Sequence, residues 1–286
     1  MIAGNPVIGI LAARYHKTFF KVDYSVYKWL NSCGAIVLYI DPRLSYERLR
    51  ELIMNLDGII IPGGGDHPYE TSPTYQTAKL IFQIAEELEN FPILGICMGI
   101  QYMLTYYSGS NWDNVKTVIN NFGYSNKNRI VAPLEYTFLG AVPKQWITSN
   151  HLVFNHRHAI LMNTFQKFKS LGETFQLLTT SSYKHWNFVS SIQGRIYPFF
   201  GIQWHPEKPA YEWSPKQNIK RESEAIEIGQ IVGDTFVEYC RGTKHKTNLD
   251  IFLEFNINRL RLTSNRYLKL DDPDYYDEPL IKFIFE

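Results

Sequence analysis

Three cysteines in 286 residues, Cys33, Cys97 and Cys240, are too few and too odd in number for a disulfide framework, so at most one bridge can form. No apolar run approaches the roughly 20 residues of a membrane-spanning helix, which leaves membrane insertion without support. Neither sign of charge is in surplus. The 29 Lys and Arg nearly cancel 28 Asp and Glu, and a net +1 offers no broad attraction for nucleic acid or an anionic membrane. Asn-x-Ser/Thr sequons are missing, and Met1 to Asn5 leave no room for a basic stretch plus an apolar one before a strand pattern starts at Val7. Those absences favour the cytosol. There is no internal repeat and no low-complexity tract. What is present is 45% hydrophobic residues, enough for a sizeable core, with 19 Tyr and 18 Phe that suit an enzyme with a substrate cleft.

The N-terminal half alternates short apolar runs with helical-period segments, the pattern of βαβ units on a parallel sheet. Strands are expected at Val7 to Leu11, Ala35 to Ile40, Gly58 to Ile61 and Ile93 to Ile96. Helices are expected at Phe20 to Ser32, ending near Gly34, and at Tyr46 to Leu56, Thr77 to Glu89 and Met98 to about Tyr107. The fold class that follows is α/β, a doubly wound, mostly parallel sheet flanked by helices. From Asn111 to Ser190 the pattern is less regular, with candidate strands at Val115 to Ile119, Arg129 to Ala132, Phe175 to Thr179 and Phe188 to Ile192, as expected of insertions or an antiparallel addition to the sheet. Tyr197 to Trp204 reads as a buried strand and Glu222 to Tyr239 as a closing helix. The catalytic domain is assigned to residues 6–246, and residues 247–286 to an extension packed on it. Within that extension Leu249, Ile251, Leu253, Phe255 and Ile257 fall at period two and predict a strand. The acidic stretch Asp271 to Glu278 is expected to be a solvated loop.

The sharpest local signal is Gly95-Ile96-Cys97-Met98-Gly99-Ile100-Gln101, with an apolar strand before it and an apolar helix after it. A strand that turns abruptly into a helix exposes the side chain at the turn, and glycines on either side remove the crowding a Cβ would cause. The helix N-terminus behind Cys97 favours a thiolate, one route to a thiol pKa below about 8.5. A thiolate nucleophile needs a proton carrier. Gln203-Trp204-His205-Pro206-Glu207-Lys208 supplies one where Pro206 stops a strand, with Glu207 two residues on to hold the second imidazole nitrogen. Cys97, His205 and Glu207 thus form a candidate triad at the carboxyl edge of the sheet.

Pro62-Gly63-Gly64-Gly65 also follows a strand. Asp66-His67-Pro68 comes next instead of a phosphate-loop Lys-Ser/Thr, which speaks against nucleotide binding. A glycine turn facing the thiol supplies half of an oxyanion hole and the N–H of Met98 the other half. Gly64 is assigned as that donor, with Gly65 the neighbouring alternative. His151, His156 and His158 cluster without further ligands at metal spacing, so no metal and no cofactor is expected; His151 and His158 read as surface residues.

The Gly-x-Cys-x-Gly elbow and the His-Pro-Glu turn resemble the class I glutamine amidotransferase-like family. Tyr197 to Lys208, followed by Tyr211-Glu212-Trp213, is similar to its γ-glutamyl hydrolase branch, as are Tyr27-Lys28-Trp29-Leu30 and Asp57 to Gly64. The resemblance spans roughly Pro6 to Gly242. It implies hydrolysis of γ-glutamyl bonds in folyl and antifolyl poly-γ-glutamates through a Cys97 acyl-enzyme, with His156 on the substrate side and His158 the alternative. Lys21 and Gln101 stand where members often have Tyr and Glu. Gln101 could bind the glutamyl group and Lys21 meet a carboxylate, with a solvent-facing position the alternative for both; Gly65 completes the substrate set. The branch implies a homodimer in a lysosomal, vacuolar or extracellular setting, against the cytosolic reading above. A glutaminase passing ammonia to a separate synthetase, or a hydrolase of another small γ-glutamyl amide, is the competing function.

Overall fold

The computed structural model describes residues 4–16, 19–124, 127–213, 219–243, 248–264 and 281–285. The chain opens with β1 (Val7–Leu11), leaves the main sheet for the hairpin β2 (Ala13–His16) and β3 (Phe19–Asp23), and returns through helix α1 (Tyr24–Ser32). The first four residues of the helix expected from Phe20 are therefore strand. Phe20 and Val22 are buried while Phe19, Lys21 and Asp23 are partly exposed, a period of two, and β3 pairs on both sides within a second sheet ordered β13-β14-β3-β2. Gly34 ends α1 at φ +86°, a backbone that glycine adopts without a Cβ penalty.

β4 (Ile36–Ile40), α2 (Tyr46–Ile53), β5 (Gly58–Ile61), α3 (Pro73–Glu86), β6 (Ile93–Ile96) and α4 (Met98–Tyr107) complete the wound half. Helix α3 starts four residues earlier than the apolar period implies. Ser72 caps it by accepting from the Tyr75 N–H, and Pro73 fills the first turn, where its missing donor costs nothing. The middle of the chain holds α5 (Trp112–Val115), β7 (Thr117–Tyr124), β8 (Lys127–Ile130), α6 (Lys144–Thr148), β9 (Val153–Ala159), α7 (Met162–Lys167) and α8 (Lys169–Thr174). Then come β10 (Phe175–Tyr183), β11 (Trp186–Gly194), β12 (Phe199–Ile202), α9 (Lys208–Tyr211) and α10 (Ser223–Arg241).

The main sheet runs β4-β1-β5-β6-β12-β11-β10-β8. Its first five strands are parallel and the last three antiparallel, so the irregular middle region does extend the sheet. Strands β1, β5, β6 and β12 are buried at every position, since helices cover both faces. Ile8, Ile10, Leu94 and Ile96 pack with Trp29, Val232 and Phe236 from α1 and α10. Val7, Leu11, Ile59 and Ile93 pack on the opposite face with Phe82, Ile100 and Leu52 from α3, α4 and α2. From β1 the chain moves to one neighbour, β4, and then to the other, β5. The carboxyl ends of these strands consequently open into a crevice, the usual ligand position in such sheets.

The strand expected at Leu249 to Ile257 is α11 (Leu249–Phe255) followed by a short 3-10 turn at Ile257–Arg259. Asn248 caps the helix, and Ile251 and Phe255, four apart, are buried while Leu249 and Leu253 stay 62% and 50% exposed. Period two was half surface and half core. Beyond it β13 (Arg261–Ser264) pairs with β14 (Ile281–Phe285), which pairs in turn with β3. The acidic stretch Asp271 to Glu278 lies outside the described residues. Among the described residues no helix is long and apolar enough to cross a membrane, and the three cysteines are free and buried.

Candidate active site

Cys97 occupies the turn between β6 and α4 with φ 53° and ψ −96°, a backbone that costs an L-residue about 1–3 kcal/mol. Two close approaches make the turn possible. A Cβ on Gly99 would stand 2.1 Å from the Ile61 carbonyl oxygen, and one on Gly95 would stand 2.6 Å from the Gly99 carbonyl carbon. Only glycine lets helix, elbow and β5 press together so tightly. The Cys97 N–H donates to Ile202 O of β12 at 2.8 Å, fixing the elbow to the strand that leads to His205.

His205 lies three residues past β12, and its own N–H donates to Val153 O of β9 at 2.8 Å. Its Nδ1 sits 2.6 Å from Glu207 Oε1, with both groups buried. The imidazole and the Cys97 side chain both approach Gly63, where a Cβ would lie 2.8 Å from His205 Cε1 and 3.3 Å from Cys97 Cβ. His205 Nε2 has no hydrogen-bond partner among the described residues. Burial opposes charge on this ring, but the carboxylate of Glu207, and after it Cys97, outweigh burial and raise its pKa to about 10. For Glu207 burial works upward, while the imidazole's charge and hydrogen bond, with Lys208, leave the carboxyl below its ordinary value. The arrangement holds a proton on imidazole between a carboxylate and a thiol. Burial, then Asp234, push the Cys33 thiol up to about 12, and burial raises Cys240 as well.

Strand β9 closes over this group. The thiol reaches Asn155 O at 3.6 Å. His156, one residue on, is buried and close enough to His205 for the two charges to interact. Its Nδ1 donates to His158 O at 2.9 Å, which places the proton there and leaves Nε2 bare, with no partner among the described residues. Burial lowers the His156 pKa to about 3, so the ring stays neutral. His158 is a correction: it is not a surface residue but lies buried, edge-on to His67 with ring centroids 4.5 Å apart and beside Trp112, its pKa lowered to about 4 chiefly by burial. His151 pairs with Glu222 at 2.9 Å.

Gly64 and Met98, the two assigned amide donors, line one small recess at the strand ends with Ala13, Gly63, Asp66 and Thr74. Asp66 is held there by Arg14 at 2.9 Å and Ser72 at 2.8 Å. Gly65 is exposed, and a Cβ there would touch nothing. Gln101 does not face solvent: its amide is buried and donates to His158 O at 2.8 Å and to Gln203 Oε1 at 3.1 Å, tying α4 to β9. Lys21 is also withdrawn, its ammonium held by both carboxylate oxygens of Asp23 at 2.9 and 3.1 Å. The role left unassigned from sequence is that of Gly63, whose missing side chain lets the thiol and imidazole meet; its place directly after Pro62 at the end of β5 was the available signal. Among the described residues no three His, Cys, Asp or Glu side chains are grouped to hold a metal ion.

The family model for class I glutamine amidotransferases matches residues 20–217. Among curated relatives, the gamma-glutamyl hydrolase of Mus musculus is 27% identical over 84% of this chain and 79% of its own. Gamma-glutamyl hydrolase B of Dictyostelium discoideum is 28% identical over 86% and 75%. The Homo sapiens gamma-glutamyl hydrolase is 26% identical over 85% and 80%. A putative GMP synthase subunit from Thermoplasma acidophilum, known from its crystal structure, superposes with a TM-score of 0.54 at 17% identity, covering 83% of this chain and 94% of that one; this likeness is one of fold.

Proposed function

The chain belongs to the class I glutamine amidotransferase family, and within it we propose that it hydrolyses the γ-glutamyl amide bonds of folyl and antifolyl poly-γ-glutamates. The observation that carries the reading is the elbow cysteine beside a buried imidazole that is 2.6 Å from a carboxylate. The relatives called gamma-glutamyl hydrolase, which align over most of both chains, supply the bond type.

In this reading Cys97 Sγ attacks the γ-carbonyl carbon, and the oxyanion that forms accepts from the N–H groups of Met98 and Gly64. His205 Nε2 hands its proton to the departing amine nitrogen, the C–N bond breaks and a thioester remains. Water then attacks the thioester with His205 taking its proton. The γ-carboxylate is released and the thiolate returns. Glu207 holds Nδ1 throughout, so the imidazolium forms with its proton already oriented. His156 Nε2, buried and without a partner among the described residues, accepts a hydrogen bond from the substrate. Gln101 and Lys21 act at one remove, through β9 and Asp23. A homodimer in a lysosomal, vacuolar or extracellular setting goes with this substrate.

The test is turnover of folate pentaglutamate, γ-glutamyl-γ-aminobutyrate and glutamine by the wild type and by Cys97→Ala. Fastest release from the pentaglutamate, abolished by the substitution, is expected. Faster turnover of glutamine moves the assignment to an ammonia-supplying glutaminase.

A further inference from the structure

Lys208 has no part in the chemistry just described, yet its ammonium is buried beside it. The residue follows Glu207 directly, so the carboxylate that orients His205 and this cation leave the backbone at consecutive positions. One turn on, Glu212 contacts the Lys208 ammonium, and the two side chains are only 6% and 5% exposed. Ser25 Oγ of α1 donates to the other Glu212 oxygen at 3.5 Å. Arg221 donates to the Pro209 carbonyl at 2.8 Å and to the Glu212 carbonyl, closing the segment from the α10 side. From β3 comes a second anion, Asp23, itself paired with Lys21. Charge therefore alternates in chain order through one buried segment: imidazolium 205, carboxylate 207, ammonium 208, carboxylate 212.

Burying such a pair contributes little net stability, because the desolvation of two ions cancels most of their attraction. Its position at the foot of the triad gives it another use. We propose that the Lys208–Glu212 pair is a charge clamp that sets the pH range in which the Cys97–His205–Glu207 group works, with Lys208 as a positioning residue that keeps Glu207 ionised. The proposal rests on the reading of those three residues as the reacting group. Consistent with it, Lys208 depresses the pKa of Glu207, and against the pull of burial Glu212 and Glu207 raise that of Lys208.

The signs of the effects are opposite for the two partners. Lys208→Met removes the ammonium that acts on Glu207 and leaves the anions Glu212 and Asp23 without it, so protons are held more tightly and the limbs of the kcat/KM profile move up by about one pH unit. Glu212→Gln keeps the shape, removes an anion and moves both limbs down. The double variant, neutral at both positions, returns to near the wild-type profile. A role in packing alone cannot produce opposite shifts that cancel.

The experiment measures the pH profile of hydrolysis and, independently of any substrate, the pH dependence of Cys97 alkylation by iodoacetamide, mapped by mass spectrometry. Opposite shifts that cancel in the double variant support the clamp. Shifts of the same sign, or none, overturn it. If Lys208→Met does not fold, Glu212→Gln decides alone: a downward shift supports the clamp and an unmoved profile overturns it. A wild-type Cys97 that reacts no faster than Cys33 and Cys240 at every pH overturns the site reading and the clamp with it. Selective Cys97 labelling with unmoved variant profiles overturns the clamp only.

Discussion

His205 Nδ1 and Glu207 Oε1 stand 2.6 Å apart in a pocket from which both are nearly excluded from water. In so dry a setting the carboxylate fixes which ring nitrogen carries the permanent proton, and the other nitrogen is left to serve the thiol. Glu207→Gln keeps the shape and loses the charge. It is expected to lower kcat by about 10²–10⁴-fold, the range typical of a disabled acid–base group, with KM little changed. Steady-state kinetics on the pentaglutamate, beside an unchanged circular-dichroism spectrum, checks this; a variant with wild-type kcat contradicts it.

Stability should peak near neutral pH. His205 has a folded pKa raised from 6.5 to about 10, so its contribution is complete below 6.5 and is lost as pH rises towards 10. His156 and His158 have theirs lowered to about 3 and 4, so the unfolded chain takes up protons that the folded one refuses, and stability falls as pH drops from 6.5 through those values. Glu207, with its pKa lowered, adds to the loss below the ordinary carboxylate range. Melting temperatures from pH 4 to 10 should therefore pass through a maximum near 6.5, with a shallower acid limb for His158→Gln. A Tm still climbing at pH 9 contradicts the assignment.

Gly63 is expected to be intolerant of even one methyl group, since it would sit 2.8 Å from the His205 ring and 3.3 Å from Cys97. Gly63→Ala should cost about 10²-fold in kcat by displacing the imidazole from the thiol. Gly172, where a Cβ meets nothing, is the control, and Gly172→Ala should keep full activity. Equal rates for the two variants would mean that thiol and imidazole do not need this approach.

Strand β14 pairs with β3, the strand that carries Lys21 and Asp23. Phe283 of β14 is buried, pairs with Val22 of β3 and packs edge-on to Tyr27 at 5.3 Å between ring centroids. Phe283→Ala should destabilise the fold by about 3–5 kcal/mol, measured by urea unfolding, and loosen the strand that carries Asp23. A loss below about 1 kcal/mol would show that the pairing is peripheral.

Much of the fold is legible in the amino-acid sequence. Strands β5 and β6 and helix α4 carry their own boundaries, because a run of Ile bounded by Pro-Gly-Gly, or a Gly-x-Cys-x-Gly between two apolar segments, states a local geometry outright. The residues of the proposed triad stand out for the same reason, Cys97 at a strand end flanked by glycines and His205 and Glu207 on either side of Pro206. The misread segments, Phe20 to Asp23 and Leu249 to Phe255, are short apolar patterns compatible with either period. Pairing with a strand some 260 residues away decided the first, and a cap at Asn248 with one buried face decided the second.

What sequence alone determined was which residues can do chemistry and where the chain must turn, since those depend on covalent geometry and on side chains a few positions apart. Tertiary structure decided which of the candidates meet. It put Gly63 against the imidazole, turned Gln101 and His158 inward, committed Lys21 to Asp23, and buried Lys208 beside Glu212 and Glu207. Burial and electrostatic partnership arise from surfaces brought together across the whole chain, and no local pattern of residue types encodes which surfaces those will be.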